Sequence, residues 1–293
     1  MNWWKGSKVK INNGVALSGC TTFKIGGRAE FFCRPKDEEE LKLLINLAKR
    51  YKIKFLVIGA GSNILVSDKG VKGLVVRLGA PDFKRISLRG NLLTAGSGCS
   101  TGQLLQFCAR HNLSGLEFLA GIPGTLGGNL AMNAGTRGDS IGASLISCRV
   151  MDASGRTKTL KTGRIKFGYR SSSLADYIIL EVRLRLTKMP GAGIRERLKE
   201  YMDRRRATQD LTHPSAGCVF KNPEGDFAGR LIDACGLKGK RVGGASISKR
   251  HANFIVNLGK ARSADVLKLM GLAKREVKRK FNIALQPEIK IWN

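Results

Sequence analysis

"VIGAGSNILV", residues 57 to 66, is the stretch on which the fold turns. Gly59 and Gly61 follow an apolar run, as in the first strand-to-helix turn of a dinucleotide-binding fold. Two features argue against that fold. Ile64 stands where the third glycine of the fingerprint belongs, and the text after the turn, "ILVSDKG", is strand-like and opens no helix. What remains is a strand–turn–strand whose glycines let backbone N–H groups approach a phosphate, with Ser62 and Asn63 adding side-chain donors. A second stretch, "AGIPGTLGGNLAMNAG" (120 to 135), repeats the logic with Gly121, Gly124, Gly127, Gly128 and Gly135 around Thr125 and Asn133. Glycine is entropically costly to order. Two such loops therefore point to a pyrophosphate cofactor held by both. No GxxxxGK[ST] occurs, which excludes a P-loop nucleotidase.

Outward from these loops the chain reads as three regions. In residues 1–79, "PKDEEELKLLINLAKRY" spaces Asp37 and Glu40 as a capping box, and Leu41, Leu44, Ile45 and Ala48 form one helical stripe. The strand "IKFLVIG" follows. Residues 80–190 are short apolar runs broken by glycines ("NLLTAGSG", "ISCRVMDASG", "YIILEVRLRL") around one helix near 102–112, introduced by Ser100 with Gln103 three on. Such spacing suits a mainly antiparallel sheet. "TKMPGAG" (187–193) reads as a linker into residues 191–293, with helices near 194–206, 226–235 and 264–280 and the strand-like "HANFIVNLG". In the final "NIALQPEIKIW", Ile283, Leu285, Ile289 and Ile291 keep a period of two, which turns Gln286, Glu288 and Lys290 to the other face. Pro287 confines that strand to an edge or a break in pairing. The tail can rejoin the first region. The class expected is α+β.

With 293 residues, 42% hydrophobic and 25% charged, the chain suits two or three compact globular units. Its apolar runs are too short to span a bilayer and "MNWWKGSKVKINNG" has no signal-like core, so a cytoplasmic protein without membrane insertion is expected. Lys and Arg number 52 against 22 Asp and Glu, a net charge of +30 that steers anionic partners inward. The densest basic text, "YMDRRR" and "AKREVKRK", lacks the interleaved aromatics that stack bases, so no nucleic acid is expected. Seven cysteines form no CxxC pair, and three histidines lie far apart, so neither a metal site nor a disulfide framework is expected. Cys108 and Cys235 fall at apolar helix positions and read as small core residues. Cys218, in "PSAGCVFKNP" (214–223) ahead of Lys221 and Asn222, stays open between nucleophile, proton donor and filler.

"TTFKIGGRAEFF", "VIGAGSNILV", "GLEFLAGIPGTLGGNLAMNAG", "FGYRSS", "PSAGCVFKNP", "AGRLIDACGLKG", "HANFIVN" and "LQPEIKI" occur in the order and spacing of one family. The chain resembles the UDP-N-acetylenolpyruvoylglucosamine reductases (UDP-N-acetylmuramate dehydrogenases) from about Thr21 to Ile291. The short span between Arg170 and the helix at 194 looks like the subclass that lacks an extra substrate loop. The resemblance implies a two-part FAD-binding region of the vanillyl-alcohol oxidase type (1–79 and 80–190) followed by an α+β substrate-binding domain (191–293). It implies that Gly59, Ala60, Gly61, Ser62, Asn63 and Ile64, with Gly121, Gly124, Thr125, Gly127 and Gly128, hold FAD. NADPH would reduce the flavin, and UDP-N-acetylglucosamine enolpyruvate would then take hydride from flavin N5 at C3 and a proton at C2, giving UDP-N-acetylmuramate for peptidoglycan. Arg170 matches the arginine that spreads the developing charge into the substrate carboxylate, and Glu288 matches the family's glutamate. Tyr169, Lys221 and Asn222 match substrate-binding positions.

The chain departs from the pattern at Cys218, where the family usually has serine as the acid for C2. A thiol, of unperturbed pKa about 8.5, is a far stronger acid than an alcohol. It must stay protonated to act, so turnover should fall at alkaline pH, and Lys221 would lower the thiol pKa further. Lys290 stands where arginine is frequent, Asp210 in "ATQDLTHP" departs from a usual Gln-Pro, and Arg137 replaces a common tyrosine. The alternatives are another flavin oxidoreductase on the same scaffold, a family member impaired by the serine-to-cysteine change, and a basic nucleic-acid-binding protein. A monomer is expected.

Overall fold

A computed structural model describes residues 3–4, 6–136 and 138–293. In chain order the first elements are β1 (Ile11–Ala16), β2 (Arg28–Cys33), α1 (Glu38–Arg50), β3 (Phe55–Ile58), β4 (Ile64–Val66) and β5 (Val71–Arg77). The strand order β1-β2-β5-β3 makes a four-stranded sheet in which β3 and β5 run parallel. Helix α1 starts at Asp37, whose side chain accepts from Glu40 N–H at 2.9 Å. The reciprocal arm of the expected capping box goes elsewhere, because Glu40 Oε2 accepts from Lys36 N–H at 2.8 Å. Leu41, Leu44, Ile45 and Ala48 are all buried, as the stripe requires.

Next come β6 (Ile86–Arg89), β7 (Leu92–Gly96), α2 (Thr101–Arg110), α3 (Leu126–Ala131), β8 (Leu145–Met151), β9 (Thr157–Lys161), β10 (Phe167–Gly168), β11 (Ser171–Ser172) and β12 (Ile178–Arg185). Five of these strands form an antiparallel sheet in the order β9-β8-β12-β7-β6. Ser100 and Gln103 close a full capping box at α2. The last elements are α4 (Gly191–Thr208), β13 (Ser215–Cys218), α5 (Ala228–Ala234), β14 (Arg241–Val242), β15 (Ala245–Ile247), β16 (Phe254–Asn257), α6 (Ser263–Phe281) and β17 (Lys290–Trp292). A third sheet has the order β13-β16-β15-β14.

Three further details differ from the sequence reading. The expected linker 187–193 ends inside α4, since Ile194 N–H already bonds Pro190 C=O and the glycines at 191 and 193 form the first turn. The C-terminal segment is no single strand: Leu285 and Ile289 are buried but Ile291 is 38% exposed, and only Lys290–Trp292 pair, parallel to β4. Pro287, which has no N–H to donate, interrupts the ladder there. Cys235 caps the end of α5, half-buried and packed against the edge of the core instead of within it.

Contacts gather the chain into two compact units. The first comprises the segment ending at Asn13, Phe31–Ala60 and Gly73–Asp203, and the second Gly14–Glu30, Gly61–Lys72 and Arg204–Asn293. The first unit has two cores. One packs α1 against Cys33, Leu74 and Val76, and the other packs Leu104, Leu126 and Leu130 against Cys148, Val150, Val182 and Leu184 of the antiparallel sheet. In the second unit, Phe23, Ile25 and Leu65 join Leu231, Ile232, Val266, Leu269 and Val277 in one core. Asp68 clamps the start of α6: its carboxylate accepts from Ser263 and Ala264 N–H at 2.8 and 3.2 Å, and its own N–H donates to Ser263 Oγ at 3.0 Å.

Candidate active site

Both glycine-rich loops have strand ends behind them. Gly59 and Ala60 leave β3, and Gly124 and Thr125 lead into α3, whose first turn holds Gly127 and Gly128 and which Thr125 opens by accepting from Gly128 N–H at 3.4 Å. The two loops meet: a Cβ on Gly59 would lie 2.5 Å from Thr125 Oγ1. The second loop is in turn fixed to the end of β7, with Gly127 N–H on Ser97 C=O and Leu126 N–H on Cys99 C=O, both at 2.8 Å. Ser97 is 4% exposed and its Oγ has no hydrogen-bond partner among the described residues. A buried hydroxyl left open beside a glycine turn is completed by a polar group from outside the polypeptide. A cradle too tight for one Cβ and a waiting hydroxyl fit the phosphates of a dinucleotide cofactor. The sequence reading missed Ser97, since one serine in "AGSG" carries no pattern of its own.

Arg170 sits on the two-residue turn between β10 and β11 with φ +53°, a left-handed conformation that non-glycine residues seldom adopt and that often marks a functional turn. Its Nη1 donates to Gly135 C=O at 2.9 Å, and its guanidinium lies 5.5 Å from the ring centre of Tyr169, which is 54% exposed. The hairpin is tied to the residues after α3: Asn133 Nδ2 donates to Gly168 C=O at 3.3 Å, and Ser172 Oγ to Ala131 C=O at 2.9 Å. Arg170 is thus anchored to the far end of "AGIPGTLGGNLAMNAG", within the same unit as Gly59, Ala60, Gly121, Gly124, Thr125, Gly127 and Gly128.

The remaining candidates lie in the second unit. Gly61, with φ +64°, is pressed against the backbone, where a Cβ would meet Cys20 C=O at 2.3 Å. Asn63, read as a donor to phosphate, turns Nδ2 to Glu288 C=O at 3.2 Å, and its own C=O accepts from Lys290 N–H at 2.9 Å. Ser62 and Ile64 flank it, Ile64 opening β4. Cys218 ends β13 opposite Phe254 and is partly exposed. The following residue makes the decisive contact: Val219 C=O accepts from Glu288 N–H at 2.9 Å, and Lys221 N–H donates to Gln286 C=O at 2.9 Å. The fold therefore lays the segment Cys218–Lys221 beside Gln286–Glu288, far along the chain. Asn222 is exposed and its Oδ1 accepts from Ala228 N–H at 3.1 Å, so it also starts α5.

Asp210 serves the turn into β13. Its Oδ1 accepts from Thr212 N–H at 3.2 Å and from Thr212 Oγ1 at 2.8 Å, and lies 3.2 Å from His213 Nδ1. Burial pushes this carboxyl upward, but hydrogen bonds from Thr212 and His213 outweigh it and hold the group below its usual range. Arg137 lies outside the described residues. Lys290 is exposed in β17. Burial raises the thiols of Cys33 and Cys108 to about 12 and those of Cys99 and Cys148 to about 11, which makes them inert.

The loops and sheets define an FAD-binding protein of α+β class. An FAD-binding-domain family matches residues 29–161, and the C-terminal domain of UDP-N-acetylenolpyruvoylglucosamine reductase matches 209–292. The chain is 43% identical to UDP-N-acetylenolpyruvoylglucosamine reductase 2 of Symbiobacterium thermophilum, over 97% of this chain and 92% of that protein. It is 41% identical to the reductase of Moorella thermoacetica, over 98% and 95%. The crystal structure of the Thermus caldophilus reductase superposes with a TM-score of 0.84 at 40% identity, covering 98% of this chain and 99% of that one. The chain belongs to the UDP-N-acetylenolpyruvoylglucosamine reductase family.

Proposed function

We propose that the chain reduces UDP-N-acetylglucosamine enolpyruvate to UDP-N-acetylmuramate with NADPH, in the cytoplasm and as a monomer. The observation that carries this reading is the bond from Glu288 N–H to Val219 C=O, which ties a carboxylate to the residue next to a partly exposed thiol. FAD, when bound, would supply hydride-relay chemistry between NADPH and the enol ether. Gly59, Ala60, Gly61, Ser62, Asn63 and Ile64 hold it from the first glycine loop, with Gly121, Gly124, Thr125, Gly127 and Gly128 from the second.

The Arg170 guanidinium draws the developing negative charge into the substrate carboxylate, and Glu288 holds the same group by a hydrogen bond. Cys218 Sγ–H gives its proton to C2 and leaves a thiolate, which regains a proton from solvent. Lys221 balances the nucleotide diphosphate, while Asn222 and Tyr169 hold the sugar and phosphate. The +30 charge raises the local concentration of this anionic substrate, with no nucleic acid as partner. No described helix is long and apolar enough to cross a membrane. Residues 1–79 and 80–190 act as the two FAD-binding parts and 191–293 as the substrate domain.

The test is NADPH oxidation by the purified yellow protein with and without the enolpyruvyl sugar nucleotide. Oxidation that depends on that substrate and forms the lactyl ether supports the reading. Oxidation indifferent to it refutes the activity and leaves the family assignment standing.

A further inference from the structure

We propose that Asn253 is a positioning residue for proton delivery: three of its polar atoms hold Val219 and Phe220, and so fix Cys218 against the backbone of Glu288. The proposal rests on the reading of Cys218 as the proton donor. Asn253 is 1% exposed. Its Oδ1 accepts from Phe220 N–H at 3.0 Å and its Nδ2 donates to Phe220 C=O at 2.8 Å. Its backbone carbonyl accepts from Val219 N–H at 2.9 Å.

The need for this clamp arises in β13. The pairing of β13 with β16 shifts between Ser215 and Cys218, where Gly217 takes φ +74°. Such a bulge leaves ladder groups unpaired. Phe220, 1% exposed, cannot turn its peptide to water. An amide side chain carries its donor and its acceptor on separate atoms, whereas a hydroxyl has both on one atom and a carboxylate at neutral pH only accepts. Asn253 is itself held, with its N–H on His251 Nδ1 at 3.2 Å and Phe254 N–H on His251 C=O at 2.9 Å. The other side of the Val219 peptide carries Glu288. The Val219–Phe220 peptide unit is thus held between Glu288 N–H on its C=O and Asn253 Oδ1 on its N–H, and the preceding Cys218–Val219 unit is held by Asn253 C=O through Val219 N–H. This accounts for "HANF", a motif that touches none of the reacting atoms.

In Asn253→Ala, the Phe220 peptide loses both partners and must tilt, which moves Cys218 relative to Glu288. A displacement of about 1 Å at a reacting group costs about 100-fold in rate. The holoenzyme is followed in two steps by flavin absorbance, bleaching by NADPH and then recolouring by the enolpyruvyl substrate. The expected result is recolouring slowed about tenfold or more, with bleaching and the amount of bound FAD unchanged. Alkylation of Cys218 by iodoacetamide, read by peptide mass spectrometry, changes rate in parallel. Asn253→Asp, which keeps the acceptor and loses the donor, carries the same test should the alanine variant fail to fold.

Equal slowing of both steps would reduce Asn253 to a structural role and overturn the proposal. So would unchanged recolouring with unchanged alkylation. Cys218→Ala separates the underlying reading. If that variant recolours normally, the proton-donor assignment falls and the proposal with it. If it stalls while the Asn253 variants do not, only the proposal falls.

Discussion

Gly59→Ala tests how the cofactor cradle is built. The added methyl lies 2.5 Å from Thr125 Oγ1, whereas Thr125 Cβ and Cγ2 stand 3.6 Å away, already at ordinary contact. Only the hydroxyl clashes, and it has to retreat to about 3.4 Å. It is held on a stiff β-branched side chain and caps α3 through Gly128 N–H. Overpacking of this kind costs about 1–3 kcal/mol. If the cost falls on the bound state, it corresponds to about 5- to 150-fold weaker FAD binding. Thr125→Ala removes the clashing atom and loses only a long capping bond, at about 0.5 kcal/mol. The double variant should bind FAD as Thr125→Ala does, a favourable coupling of about 1–3 kcal/mol. Titrating the apoprotein with FAD and following flavin fluorescence gives all four affinities. Undiminished binding by Gly59→Ala, or strictly additive losses in the double variant, would refute the picture of two loops closed on each other.

Cys218→Ser should keep measurable substrate-dependent turnover and abolish the alkaline fall expected of the thiol, whose unperturbed pKa is about 8.5. A pH profile of recolouring from pH 6 to 10 checks this, and superimposable profiles for both proteins would count against thiol acidity. Asp68→Ala removes the clamp on α6 and should lower stability by about 1–2 kcal/mol at neutral pH. Burial raises the Asp68 carboxyl, but bonds from Ser263 and Ala264 and the charge of Arg262 bring it below its ordinary 3.8. The native state therefore binds this proton less readily than the unfolded chain does. The contribution is complete above about pH 4 and disappears as pH falls through the lowered value. Thermal unfolding of both proteins at neutral and at acid pH should show the gap closing on acidification.

Local features were legible in the sequence because their causes are local. The stripe of α1, the Ser100–Gln103 box and the strand-like text after Gly61 all depend on neighbours within a turn or two. The Glu40 side chain went astray by one position because the Lys36 N–H competes for the same carboxylate. The tail was misread for a longer-range reason: a period of two persists in its letters, but Pro287 and the pull of β4 decide which residues pair. The site was half legible. Glycine loops, Arg170, Cys218 and Glu288 carry chemical signatures in the text. The contacts that hold Glu288 and Phe220 in place do not, since Asn63 reaches Glu288 across 225 positions and Asn253 reaches Phe220 across 33. No periodicity records such a pairing.

The passage of the polypeptide between its two units bears on the order in which the protein is made. Residues 14–30 and 61–72 leave the ribosome early, yet their unit is completed only by residues 204–293. Phe23, Ile25 and Leu65 thus stay without Val266, Leu269 and Val277 until translation is nearly over. Such distant contacts slow folding and leave apolar surface open to chance association meanwhile. The segments of the first unit can begin to pack while synthesis continues. A nascent polypeptide that stalls before residue 204 carries Phe23, Ile25 and Leu65 with none of their later core partners yet made, which makes it a natural client for chaperones.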